Sequence, residues 1–176
     1  MLLGTGGVYA LTRNITKALA VLMVDFSCAL KLAMPISVLS AIREANEHRI
    51  TVKGGKFLEA LAEADTIVFD KTGTLTEVKP VVSAADVGIA VSDGAEIARE
   101  IADIMIGAND LYGLVKLKKL SNALVGRIHK NYRVIVGFNT MLILLGIGGF
   151  LQPASSALLH NTSTLAISLK SMQDLL

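Results

Sequence analysis

The sequence predicts a membrane α-helical protein that carries a small α/β domain between its membrane portions. Three observations predict it. Over 176 residues, 52% are hydrophobic and 18% charged, with a mean hydropathy of +0.57, which is more apolar than an ordinary soluble domain of this size. Apolar stretches of spanning length stand towards both ends of the chain. Between them, Ile67-Val68-Phe69 runs into Asp70-Lys71-Thr72-Gly73-Thr74. That is the pattern of a buried parallel strand delivering a carboxylate to its carboxyl end, where ligand sites of open α/β sheets lie.

The net charge of +2 gives no argument for a nucleic-acid partner. The single cysteine, Cys28, excludes an internal disulfide and leaves a thiol that is either packed in a core or a metal ligand. Met1 to Leu11 is apolar and glycine-rich but lacks a basic leader and a cleavage site, so it does not read as a signal peptide. It is shorter than the ~20 residues that span a bilayer and reads as the end of a membrane helix or an interfacial arm.

Ala18 to Ile42 is the first stretch long enough to span, interrupted by Asp25, Lys31 and Pro35. Charged groups inside hydrocarbon are costly and normally face a pathway or a partner. Pro35 frees a backbone carbonyl and is expected to kink the helix. Asp25 and Lys31 either line a transport pathway or neutralise each other across a broken helix; their spacing does not make them neighbours on a straight one. Ile50-Thr51-Val52 suits a short strand, and Lys56 to Ala64 an amphipathic helix with Phe57, Leu58 and Leu61 on one face.

After the Asp70 loop, Glu77 to Ala84 is a linker containing Pro80, and Val87 to Val91 is a second buried strand. Ser92-Asp93-Gly94 is a turn. Ala95 to Ile106 reads as a helix, with Ile97, Ile101, Ile104 and Met105 at helical spacing. Asn109-Asp110 caps a further helix through the basic residues Lys116 to Arg133. Val134 to Leu151 and Ala154 to Leu169 are spanning candidates forming a hairpin about Gln152-Pro153. The second holds His160, Asn161, Thr162, Ser163 and Thr164 in its middle. Basic residues cluster at 43–56 and 116–133, which places the intervening domain in the cytoplasm by the positive-inside rule.

The Asp70 loop has its own chemistry. Gly73 permits a tight turn, and Thr72 and Thr74 offer hydroxyls and amides to an anion. A carboxylate so placed can attack a phosphoryl group and hold it as an acyl phosphate. Mg²⁺ offsets the accumulated negative charge.

The run Asp70-Lys71-Thr72-Gly73-Thr74-Leu75-Thr76-Glu77 resembles the phosphorylation signature of P-type ATPases, ion pumps with a haloacid-dehalogenase-like catalytic domain. Ser27-Cys28-Ala29-Leu30-Lys31-Leu32-Ala33-Met34-Pro35 resembles the ion-site helix of their heavy-metal-transporting branch, commonly Cys-Pro-Cys-Ala-Leu-Gly-Leu-Ala-Thr-Pro. Here Phe26 stands at the first cysteine, Ser27 at the proline, Cys28 at the second cysteine and Lys31 at the glycine. Lys53 to Leu61 resembles the family's approach to the phosphorylated aspartate, and Ala85 to Ala90 a later strand of that domain.

The resemblance implies three parts: residues 1–45 as membrane helices with the ion-site segment, 46–128 as an internally deleted cytoplasmic phosphorylation domain, and 129–176 as a transmembrane hairpin. Asp70 is then the nucleophile. Its carboxylate and the Thr72 carbonyl hold Mg²⁺, and Lys71 and Thr74 frame the phosphate. Cys28, with Asp25, Lys31, Met34 and His160, lines the path of a transported transition-metal ion. One thiol in place of two rules out a site built from cysteine alone.

The family's nucleotide-binding domain belongs where only Glu77 to Ala85 stand, and its Gly-Asp-Gly-x-Asn-Asp motif, actuator domain and earlier membrane helices have no match. The chain is therefore expected to resemble an amino-truncated pump without the domain that binds ATP. The reading is an ATP-driven heavy-metal cation transporter forming an aspartyl phosphate, impaired as an isolated chain. The alternatives are a non-catalytic membrane fragment that binds metal or pairs with a full-length pump, and a membrane-anchored small phosphatase. The implied partners are the lipid bilayer, the metal ion, and a full-length pump or missing domains in trans. The implied location is a prokaryotic plasma membrane.

Overall fold

The computed structural model describes residues 2–24, 26–69, 85–91, 100–107 and 112–176. The Ser92-Asp93-Gly94 turn, the Asn109-Asp110 cap and the linker about Pro80 lie outside the described residues, as do Asp25, Asp70, Lys71, Thr72 and Thr74. The chain forms two compact units. The first takes Met1–Ile36 and Ile128–Gln173, the second Ser37–Arg127 and Asp174–Leu176.

In the first unit, helix α1 (Leu2–Thr12) buries no residue. Helix α2 (Ile15–Leu22) is capped by Asn14, whose side-chain oxygen accepts from the Thr16 and Lys17 amides at 2.9 and 3.3 Å. The chain leaves α2 at Met23, whose amide donates to the Leu19 carbonyl, and helix α3 (Phe26–Glu47) follows. The expected single stretch Ala18–Ile42 is thus two helices. The described part of the break is Met23 and Val24. Helix α3 continues through Pro35; the ring removes an amide donor, so the Lys31 carbonyl loses its partner one turn back.

Helix α5 (Tyr112–Gly148) runs for 37 residues, about 55 Å at helical rise. The basic segment and the apolar Val134–Leu151 segment expected from sequence are therefore largely one element. Gly149, at φ +82, turns the chain where an L side chain would be strained. Helix α6 (Pro153–Ser171) begins with Pro153 in its first turn. Helix α2 meets α5 at Gly146, where a Cβ would stand 2.9 Å from that of Ala20, so the close approach requires glycine.

Among the described residues one helix, α5, is long and apolar enough to cross a membrane. Three such stretches were expected. Ala18–Ile42 is divided, and Ala154–Leu169 sits in α6, a 19-residue helix whose serines, threonines, His160 and Asn161 hold its hydropathy down.

Among the described residues, the second unit is built on a three-stranded sheet of order β1-β3-β2. Strand β1 is Ile50–Val52, β2 is Ile89–Val91 and β3 is Ile104–Ile106. Central β3 pairs antiparallel with β1, Ile50 opposite Ile106, and parallel with β2, Ile89 opposite Ile104. Helix α4 (Gly55–Glu63) buries Leu58 and Leu61, and α5 contributes buried Leu117, Leu120 and Leu124 to this unit's core. Gly113 lets α5 approach β3, since a Cβ there would stand 2.8 Å from the Ile106 side chain.

Two expectations are corrected here. Ile104 and Met105, expected on a helix face, belong to β3; the β-branched Ile104 and Ile106 favour an extended chain, and with a strand on each side β3 completes a ladder that a helix would forgo. Ile67-Val68-Phe69, expected as a buried strand, has no regular structure and is 56%, 75% and 71% exposed. Both neighbours of the central strand are already taken by β1 and β2, so this run has no central slot in the sheet.

Candidate functional site

The first unit concentrates its buried polar groups on one stripe. Ser156, His160, Thr164, Ser168 and Ser171 are all buried on α6. Their spacing by three and four residues puts them on a single helix face. Helix α5 answers with Asn131 and Asn139, both buried. Asn131 Nδ2 donates to Ser171 Oγ at 2.9 Å, and His160 Nδ1 stands 3.1 Å from Asn139 Oδ1. The later α6 residue pairs with the earlier α5 residue, so the two helices run antiparallel.

The His160 contact orients the ring: an amide oxygen accepts, so Nδ1 is the nitrogen turned to Asn139 and Nε2 the one turned away. An imidazole held through one nitrogen by an amide oxygen is oriented to offer the other to a metal ion. His160 is 4% exposed. Its carbonyl accepts from Ser163 Oγ at 2.8 Å and Thr164 Oγ1 at 2.9 Å, so these hydroxyls are turned back onto their own helix. The Oγ atoms of Ser156 and Ser168 are buried with no partner among the described residues. Each leaves a donor and an acceptor unused among the described residues.

Helix α3 reaches this unit through small residues. Ala29 and Ala33 are buried against Ile135, with Leu30 and Ile167 beside them, and small side chains allow close helix approach in an apolar setting. Cys28 and Lys31 are exposed, as is Met34. Of the residues expected at the metal path, His160 alone is buried among those described, and Asp25 lies outside them. No group of three or more His, Cys, Asp or Glu side chains gathers among the described residues.

The phosphate-binding candidates Asp70, Lys71, Thr72 and Thr74 lie outside the described residues, so the geometry that bears on Mg²⁺ or ATP is that of the flanking chain. Thr66 Oγ1 donates locally to Asp65 Oδ1 at 2.9 Å. At the sheet, the Gly88 amide donates to Asp103 Oδ2 at 3.0 Å, and Lys53 Nζ donates to the Glu100 carbonyl at 2.7 Å. These tie the ends of the strands together.

Sequence reasoning missed Asn131, Asn139, Ser156 and Ser168. The signal for the serines was the four-residue repeat Ser156, His160, Thr164, Ser168. The asparagines gave none, since each is a lone polar residue on a long helix.

No family model matches the chain, and no solved structure matches it. Curated proteins do. The zinc-exporting P-type ATPase of Mycobacterium marinum is 37% identical over 89 residues, 50% of this chain and 12% of the relative. The cadmium-transporting ATPase of Staphylococcus aureus is 51% identical over 67 residues, 38% of this chain and 9% of the relative. The manganese-exporting P-type ATPase of Mycobacterium tuberculosis is 31% identical over 135 residues, 76% of this chain and 16% of the relative. The chain spans no more than 16% of the length of these relatives. Over the matched part of its length, the chain is a homologue of heavy-metal-transporting P-type ATPases.

Proposed function

We propose that the chain carries the phosphate-accepting and ion-path segments of a heavy-metal cation pump. The observation that supports this best is the buried His160–Asn139 pair at 3.1 Å, set in a stripe of hydroxyls against the one described helix apolar enough to cross a membrane. Buried ionisable and polar groups in such a helix pair are expensive and mark substrate paths. A borderline-soft divalent cation suits an imidazole nitrogen. His160 Nε2 offers that donor, and Cys28, Asp25, Lys31 and Met34 of the ion-site segment supply the rest of the path.

At the other site Asp70 acts as nucleophile. A carboxylate oxygen attacks phosphorus, the bond from phosphorus to the leaving oxygen breaks, and that oxygen departs with the electron pair. Lys71 and Thr74 frame the phosphoryl oxygens. Mg²⁺, held by Asp70 and the Thr72 carbonyl, supplies charge neutralisation when bound. ATP-driven turnover is impaired, because Glu77 to Ala85 is too short to hold a nucleotide domain, and phosphoryl transfer depends on positioning the donor. The plasma membrane is the proposed location, with residues 46–128 on its cytoplasmic side.

Titration of the purified chain in detergent with Zn²⁺, Cd²⁺ and Mn²⁺ tests the ion path. His160→Ala is expected to weaken binding of the preferred ion by about 10-fold or more, on the scale of losses from metal-site changes. Asn139→Leu, which frees the ring to rotate, weakens it by a smaller factor. Equal affinity in His160→Ala and the unaltered chain contradicts the assignment. The second reading, a non-catalytic metal-binding fragment, draws on the exposed and irregular Ile67-Val68-Phe69. It predicts the same titration with no phosphate uptake at Asp70.

A further inference from the structure

Residues 134–169 contain no Asp, Glu, Lys or Arg. They run along α5, through the Gly149 turn and into α6. Charge resumes at both ends, with Arg133 before them and Lys170 after. The two ends are also level in space. Asn131 Nδ2 donates to Ser171 Oγ at 2.9 Å, and at helical rise Arg133 and Lys170 each stand within about 3 Å of that bond along the antiparallel pair. From there to the turn the outer surface is apolar. Val134, Met141 and Leu144 of α5 and Leu158, Leu165 and Leu169 of α6 are all exposed, an extent of bare hydrocarbon that marks a membrane or partner surface.

The level itself carries positive charge without compensation. Lys130 and Arg133 are exposed and three positions apart, so they share a face of α5. Lys170 is exposed on α6. None of the three has an ion-pair partner among the described residues. Asp25 is the one acid in the sequence of this unit, and the next acid along the chain, Asp174, is held by Arg43. Lysines elsewhere on α5 do find partners. Lys118 Nζ donates to the carbonyls of Leu61 at 2.7 Å, Ala62 at 3.0 Å and Ala64 at 2.8 Å, which uses all three bonds of an ammonium group. Tyr132, 51% exposed, stands between Lys130 and Arg133. Its ring has an apolar body and a polar tip, the pattern of residues seated where hydrocarbon meets headgroups.

We infer that Lys130, Arg133 and Lys170 form a docking surface for the headgroups of anionic phospholipids. Unpaired cations at one level, at the rim of a charge-free apolar length, complement a plane of phosphodiesters. Their long stems lie along apolar surface while the charged heads reach the phosphate layer. The inference rests on the reading of α5 as a membrane helix. It goes beyond the basic clusters that orient a chain in a bilayer, because orientation selects no lipid.

The test uses the whole purified chain in phosphatidylcholine vesicles with a trace of spin-labelled phosphatidylglycerol or spin-labelled phosphatidylcholine. Resistance to alkaline extraction establishes insertion. The share of each label immobilised against the protein then gives their relative association. Phosphatidylglycerol should be preferred at least about 5-fold, the factor that the attraction of one basic residue at a membrane surface supplies. Added salt should weaken the preference. Combined Lys130→Gln, Arg133→Gln and Lys170→Gln should abolish it at unchanged helix content. Combined Lys130→Arg, Arg133→Lys and Lys170→Arg, which keeps the charge, should retain it. So should combined Lys116→Gln and Lys119→Gln, exposed residues about three turns or more before Lys130 on α5.

Failure to insert overturns the membrane reading and the lipid surface with it. Equal association of the two lipids with an inserted chain overturns the lipid surface and leaves the membrane reading standing. Preference that survives the three glutamines, or that the Lys116 and Lys119 changes remove equally, overturns the assignment to these residues. Preference that inorganic phosphate removes, while chloride of equal ionic strength does not, makes the occupant a soluble phosphate and overturns the assignment to lipid.

Discussion

Ile104→Ala is expected to destabilise the second unit by about 2–5 kcal/mol, the range for truncating a fully buried isoleucine. Ile104 is 0% exposed and lies on the central strand. It faces Val52 of β1 in the antiparallel register and Ile89 of β2 in the parallel one. Strand β3 pairs with both β1 and β2, so one cavity there touches both neighbouring strands at once. Chemical denaturation followed by amide exchange at Ile50–Val52 checks this. A loss below about 1 kcal/mol would mean that β3 is not the centre of the unit, since edge positions tolerate truncation far better.

Glu44→Leu is expected to cost about 2–4 kcal/mol, from two charge-assisted hydrogen bonds lost and two amides left without an acceptor. Glu44 is 4% exposed on α3. Its carboxylate accepts from the amides of Leu175 at 2.6 Å and Leu176 at 2.9 Å. Arg127 Nη2 donates to the Asp174 carbonyl at 2.6 Å, and Arg43 pairs with the Asp174 carboxylate. The Arg43 pair is exposed on both sides and contributes little alone. The buried Glu44 bonds hold residues 174–176 in the second unit. Thermal unfolding of Glu44→Leu beside Arg43→Leu separates the two, and the Glu44 change is expected to be much the larger. Equal effects, or no effect from Glu44→Leu, contradict this account.

Much of the fold was legible from the sequence. Ile50-Thr51-Val52 alternates and is flanked by turn-forming residues, so it read as a strand. Lys56 to Ala64 and the basic run after Lys116 showed helical periodicity and are helices. Strand β3 was not legible, because Ile101, Ile104 and Met105 fit a helical face as well as a strand, and only the neighbours β1 and β2 decide between them. Ile67-Val68-Phe69 failed for the converse reason. An apolar run makes a buried strand only where a sheet has a place for it, and sequence alone does not count the places.

The site divides the same way. His160 was legible as a polar residue in an apolar stretch. Its partner Asn139 was not, because the pairing joins residues 21 apart in the chain and depends on the α5–α6 turn at Gly149. Lys118 looked like one basic residue of a run. Its engagement with three carbonyls follows from where α4 ends, which no local pattern encodes.

The proposed function requires that Asp70 of this chain still accept a phosphoryl group. The most direct measurement is acid-stable incorporation of label from labelled acetyl phosphate with Mg²⁺, a donor that needs no nucleotide domain, in the unaltered chain and in Asp70→Asn. Slow incorporation in the unaltered chain, absent in Asp70→Asn and removed by hydroxylamine as an acyl phosphate must be, is the result predicted. Equal label in both chains, or none in a folded and membrane-inserted unaltered chain, contradicts the claim.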